Sequence, residues 1–172
     1  MSQIARVLLW DTCNRNCDGC CNKEWNLDAL PKVGLSDLSK YSDIILTGGE
    51  PMLNPTKLFM IATQIKGLYP SKRLLLYTAK IDSVMFDAIC RVIDGVTVTL
   101  HEPKDVLQFE TWGINRYTNK AISKRLNVFE DVLLTQSQVN KYQMDGWKLK
   151  LGIKWIKNCP LPTNEVFVRW EN

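Results

Sequence analysis

Four of the chain's six cysteines fall within nine residues, in the stretch "CNRNCDGCC" from 13 to 21. The spacing is Cys13-x3-Cys17-x2-Cys20, with Cys21 directly after. Three thiolates gathered on one polar loop can hold a soft metal centre. Zinc would need a fourth ligand to close its tetrahedron. Cys21 serves that purpose poorly, because adjacent side chains point away from each other. No later CxxC pair exists: Cys90 lies in a helical stripe, Cys159 stands alone before Pro160, and the single histidine, His101, is far along the chain. An iron–sulfur cube in an electron carrier takes four thiolates. With three, one iron is left open, which is a liability in a structural site and an asset in a catalytic one. Cys21 reads as a free thiol, buried or reactive, and Cys90 as plain core.

The elements that must position this loop are short apolar runs alternating with helical patterns. Strands are predicted at 5–10, 43–47, 73–78 and 96–100. Between the second and third, Leu58, Ile61, Ala62, Ile65 and Leu68 recur at helical spacing. Pro55 suits the start of that helix, and Gly67 with Pro70 its end. Between the third and fourth strands, Met85, Ala88, Ile89, Val92 and Ile93 make a second stripe, capped by Asp82 or Ser83 and ended by Gly95. Further strands are expected at 126–134 and 147–156, with an edge strand at 165–170.

This order implies right-handed βαβ units and a parallel sheet. The expected fold is α/β: a partial (β/α) barrel of about five or six parallel strands with outer helices, open on one side. A full eight-fold barrel takes about 250 residues, and the chain has 172. One domain is expected, with residues 1–102 as its core and 103–172 as a variable part. In such sheets ligands sit at the carboxyl ends of the strands. That rule places the cysteine loop, and the "LTGGEP" turn at 46–51 after the second strand, at the active end. Read alone, "TGGEP" is equally a tight strand-to-helix turn.

Hydrophobic residues make up 45% and charged residues 23%, an ordinary soluble balance. No run of eighteen apolar residues appears, and the apolar start is too short for a signal peptide. A cytoplasmic protein is therefore expected, with its thiols kept reduced. Charge is uneven: residues 1–112 carry a net −1 and residues 113–172 a net +5. The excess lies in "NRYTNKAISKR" and "KLKLGIKWIK", read either as a solvated face or as a patch for an anionic substrate or acidic partner. Neither a membrane nor a nucleic-acid partner is indicated.

The loop "CNRNCDGC" just after a first strand, with "LTGGEP" ending a second, resembles the radical S-adenosylmethionine superfamily. The resemblance covers roughly residues 5–102. It implies that Cys13, Cys17 and Cys20 each bind one iron of a [4Fe–4S] cluster, whose fourth iron chelates S-adenosylmethionine. It further implies cofactor contacts from Thr47, Gly48, Gly49 and Glu50. The glycines allow close backbone approach, and Glu50 accepts either from the methionine ammonium or from loop amides. At later strand ends, Thr78 matches the family's turn and Lys80 does not, while His101 or Glu102 stands where relatives place a polar group against the ribose. Two departures are Gly19, where an aromatic residue is usual, and Cys21.

Within the superfamily the nearest resemblance is to the small activating enzymes of anaerobic ribonucleotide reductase, through Cys17-Asp18-Gly19-Cys20-Cys21-Asn22 and Trp25. It implies a flavodoxin or ferredoxin as electron donor and a glycyl-radical reductase subunit as partner. The alternative is a small-molecule enzyme like the 7-carboxy-7-deazaguanine synthases, acting on a small anionic substrate. From another class, a non-catalytic iron–sulfur or zinc module is the third reading.

Overall fold

The computed structural model describes residues 3–112 and 122–171. Its strands are β1 (Ile4–Leu8), β2 (Lys32–Val33), β3 (Asp43–Thr47), β4 (Arg73–Thr78), β5 (Gly95–Leu100), β6 (Ser123–Phe129), β7 (Lys148–Ile153) and β8 (Glu165–Trp170). They form one open sheet in the order β2-β8-β1-β3-β4-β5-β6-β7, every pair parallel. Its helices are α1 (Cys21–Glu24), α2 (Pro55–Leu68), α3 (Met85–Cys90), α4 (Lys104–Trp112) and α5 (Gln136–Met144). Six strands, β1 and β3 to β7, stand in chain order, which is the partial barrel the sequence implies. Because all strands run one way, the loops leaving β1, β3, β4 and β5 meet at a single rim.

Period-two alternation decides which face each strand buries. Ala5, Val7, Ile44, Leu46, Leu74, Leu76, Val96, Val98, Leu126 and Val128 point to one side. They join Leu58, Ile61, Ala62 and Ile65 of α2 in one core cluster. The α2 stripe is thus as predicted, except that Leu68 at its last turn is 55% exposed. Asn54 caps this helix by accepting from the Lys57 N–H, ahead of Pro55. Cys90 is core, at 1% exposure. Ser83 Oγ accepts from the Met85 N–H at the start of α3. Gly95, expected to end this helix, instead opens β5. The opposite face of the sheet is more polar: Arg6 pairs with Glu165 at 2.6 Å and lies over the Tyr77 ring.

Three strand expectations are corrected: the one at 147–156 spans only Lys148–Ile153, as β7. The segment 165–170 is not an edge strand: β8 lies between β1 and β2, with Ile4 in register with Glu165 and Leu8 with Arg169. The strand expected at 126–134 begins earlier and stops at Phe129, where the Val132 N–H donates to the Phe129 carbonyl and turns the chain. Two helices also interrupt the carboxyl-terminal part. One is α4, which buries Phe109. The other is α5, opened by a capping box between Thr135 and Gln138. Its only buried residue is Tyr142, so almost no apolar stripe announces it. Of the basic stretch 115–125, residues 115–121 lie outside the described residues. Among the described residues no helix is long and apolar enough to cross a membrane.

Candidate metal and cofactor site

The cysteine loop and the glycine turn are joined backbone to backbone. The Leu9 N–H donates to the Thr47 carbonyl, the Gly49 N–H to Trp10 and the Glu50 N–H to Thr12, at 2.8–2.9 Å. This extends the β1–β3 pairing past the ends of both strands. Such an approach leaves no room for side chains: a Cβ on Gly48 would lie 2.6 Å from the Trp10 oxygen, and one on Gly49 2.0 Å from the Thr12 oxygen. The Trp10 indole N–H, donating to the Glu50 carbonyl at 2.9 Å, adds a fourth link.

Glu50 is 2% exposed. Its Oε1 accepts from the Met52 N–H and the Thr78 hydroxyl, and its Oε2 from the Ala79 N–H. Of the two roles open to it in the sequence, the carboxylate here takes the loop amides. Burial pushes its pKa up, against the pull of these hydrogen bonds. Thr78 is buried behind it, and Lys80 pairs with Asp82.

A second fastening comes from inside the cysteine loop. Arg15 makes a two-pronged contact with Asp105 of α4, at 2.6 and 3.1 Å. Asp105, 3% exposed, also accepts from the His101 and Glu102 N–H groups just past β5. Neither residue was singled out from the sequence, since they are 90 positions apart. Only the loop position of Arg15 between two candidate ligands pointed to it.

Together these contacts frame a cavity of about 230 Å³. Cys13, Cys17 and Cys20 line it, with Thr47, Gly48, Gly49, Glu50 and His101. Every candidate metal and cofactor residue except Thr78 therefore borders one space. Among the described residues no three His, Cys, Asp or Glu side chains are gathered to hold a single ion. The three thiols line the same cavity, and Cys20 and Cys13 both act on the Cys17 thiol. Three thiolates around one space suit a polynuclear cluster, in which each serves a different iron. Burial, and then the neighbouring Cys20, push the Cys17 thiol up, while Arg15 opposes them. Burial, and then Arg15, hold His101 down at about 4, so the imidazole is neutral. Its Nδ1 is buried without a hydrogen-bond partner among the described residues.

Two features were not legible in the sequence. Cys21 is not a free thiol: it is disulfide-bonded to Cys159, 138 positions away. The β7–β8 connector, residues 154–164, brings Cys159 to the loop. The same connector lays Trp155 on Gly19, where a Cβ would stand 2.5 Å from the indole ring. A side chain at position 19 would collide with this indole, so glycine fits there. Trp155 continues into a stack with His101 and Phe129, at centroid distances of 5.5 and 4.4 Å. Trp25 donates its indole N–H to the Cys159 carbonyl at 3.3 Å and meets Phe167 edge-on.

No curated protein matches the sequence. A family model described as a 4Fe-4S single cluster domain matches residues 4–101. The match runs from the first residue of β1, through the three cysteines and the glycine turn, to His101. On that span, more than half of its length, the chain belongs to the 4Fe-4S single cluster domain family.

Proposed function

We propose that this protein is a radical S-adenosylmethionine enzyme. One observation carries the reading: the three-thiol loop is hydrogen-bonded along its backbone to the Gly48–Gly49–Glu50 turn, and both face one cavity at the carboxyl ends of parallel strands. An electron carrier needs thiols alone. A turn this close to them, with glycines where side chains would collide, suits a site that also seats a ligand.

Cys13, Cys17 and Cys20 would hold a [4Fe–4S] cluster, leaving one iron open. When bound and reduced, such a cluster supplies the electron that cleaves S-adenosylmethionine into methionine and a 5′-deoxyadenosyl radical. The chain's own residues do the placing. Arg15 and Asp105 hold the loop against the end of β5. Glu50 fixes the turns after β3 and β4 relative to each other. Neutral His101, stacked with Phe129 and Trp155, lines the cavity with an aromatic surface suited to a nucleoside. The fourth cavity wall is the connector, through Trp155 and Leu161.

Within this class we favour activation of a glycyl-radical reductase subunit, with a flavodoxin or ferredoxin as electron source. The sheet is open, so a partner can complete it. The alternative is a 7-carboxy-7-deazaguanine synthase-like reaction on a small anionic substrate. Anaerobic reconstitution tests the general reading: about four irons and sulfides per chain, and release of 5′-deoxyadenosine on adding dithionite and S-adenosylmethionine. One zinc per chain with no nucleoside release would refute it. An anaerobic pull-down that recovers a large reductase subunit supports the activase form, and recovery of none favours the small-molecule form.

A further inference from the structure

Residues 154–164 leave β7 at the rim that carries the cysteine loop and enter β8 at the opposite rim, on the far side of β1. On the way they cross the cavity, contributing Trp155, Cys159 and Leu161 to its lining. Their hold on the cysteine loop is a short set of contacts. Trp155 lies on Gly19, Trp25 donates to the Cys159 carbonyl, and Cys159 is bonded to Cys21. Only the last is covalent. The others are weakly protected from water, since Trp155 is 43% and neighbouring Ile156 66% exposed.

The connector is also bent against its own backbone preference. Asn158 and Cys159 have φ of 62° and 37°, in the left-handed region that side chains disfavour. The strain falls at the bonded cysteine. The cavity under the connector, about 230 Å³, is below the roughly 300–1,000 Å³ usual for small-molecule sites. Moving this wall would widen the space for a larger ligand.

We propose that Cys21 and Cys159 form a reversible dithiol–disulfide site, separate from the three cavity thiols. Its oxidised form bolts residues 154–164 across the cavity, and its reduced form releases them. The reductant is a dithiol. One of its thiolates attacks a sulfur of the pair, the Cys21–Cys159 bond breaks, and a mixed disulfide forms. The second reductant thiol resolves it. Two electrons and two protons pass to Cys21 and Cys159, and the reductant leaves as its own disulfide. A disulfide oxidant such as oxidised glutathione closes the site over Cys13, Cys17 and Cys20 by the reverse exchange, leaving as two thiols, and the dithiol opens it. The inference rests on the radical-enzyme reading only for what the cavity admits.

Limited trypsin digestion of the apoprotein tests it without cluster or cofactor. Lys154 and Lys157 are exposed on the connector. After reduction by dithiothreitol, cleavage there should run about tenfold faster than in the oxidised protein, because digestion follows the population of the open form. Cys159→Ser should be cut at the fast rate with or without reductant. Equal rates for reduced and oxidised wild type, or slow cleavage of Cys159→Ser, would overturn the proposal. Reversibility is read separately. Excess reduced dithiothreitol should open the folded protein, judged by maleimide labelling of both thiols with an unchanged circular dichroism spectrum, and exchange into oxidised glutathione, which takes up the two electrons and two protons and leaves as two reduced glutathiones, should restore protection. A pair that dithiothreitol leaves intact in the folded protein is a fixed cross-link, and the switch is then wrong. If the radical-enzyme reading alone fails, 5′-deoxyadenosine is absent while the digestion pattern stands.

Discussion

A methyl group on Gly49 would stand 2.0 Å from the carbonyl oxygen of Thr12, well inside any allowed contact. The neighbouring atom is backbone, so it cannot swing aside. Gly49→Ala should therefore push the glycine turn off the cysteine loop. We expect a loss of about 1–3 kcal/mol, as for an overpacked core site, together with poor retention of iron after reconstitution. Gly67→Ala is the control. It sits in α2 with nothing within 4 Å of its would-be Cβ, and should stabilise the fold by about 0.5–1 kcal/mol. Chemical denaturation of both variants checks the contrast, and equal behaviour would dismiss the close-approach argument.

The Arg15–Asp105 contact is predicted to fasten the cysteine loop before any metal arrives. Both side chains are well buried, at 11% and 3% exposure. Arg15→Ala leaves the Asp105 carboxylate with its two amide donors but no cation. The expected cost is about 3 kcal/mol, the lower end for breaking a buried pair. Thermal unfolding of the apoprotein measures it, and a change under about 0.5 kcal/mol, typical of surface sites, would mean the pair is idle.

Glu50→Gln should destabilise the protein even without cofactor. The carboxylate is an acceptor on both oxygens. An amide keeps one acceptor and turns an NH₂ toward a backbone donor. Leaving a buried donor unmet costs about 1–3 kcal/mol. A variant with wild-type stability but weakened S-adenosylmethionine binding would instead assign Glu50 to the methionine ammonium.

His101 gives a pH prediction whose sign follows from burial. In the unfolded chain it takes a proton near 6.5, whereas in the folded protein it does so only near 4. Between those values protonation favours the unfolded chain, so this group's contribution turns unfavourable as pH falls through the window and levels off below it. His101→Gln removes the dependence. The stability gap between wild type and variant should thus shift against wild type from pH 7 to pH 4.5, and parallel curves would contradict the buried neutral imidazole.

Much of the frame around the site was readable because it is local. The α2 stripe and the strand at 73–78 each declare themselves within a dozen residues, and the three-cysteine spacing needs only eight. What escaped reading depends on distant partners or on polar surfaces. The Arg15–Asp105 pair spans 90 positions and the Cys21–Cys159 bond 138, and no spacing rule joins residues that far apart. The fasteners of the site were therefore hidden even where its candidate thiols were plain. Helix α5 hid for another reason: it buries Tyr142 and little else, so its one sequence signal was the Thr135–Gln138 cap. The strand at 165–170 was identified as a strand but misplaced as an edge, because alternation says nothing about which strand lies next door.

That placement has a consequence for how the protein is made. β1, which leads into the cysteines, has β8 as one of its two neighbours, and Arg6 finds Glu165 across 159 positions. At about 5–20 residues per second, a ribosome leaves that flank of β1 bare for roughly ten to thirty seconds. An iron donor acting in this interval would meet a nascent loop lacking one side of its cradle. The frame beside the cysteine loop is thus complete only once the late strand has slid in beside the early one.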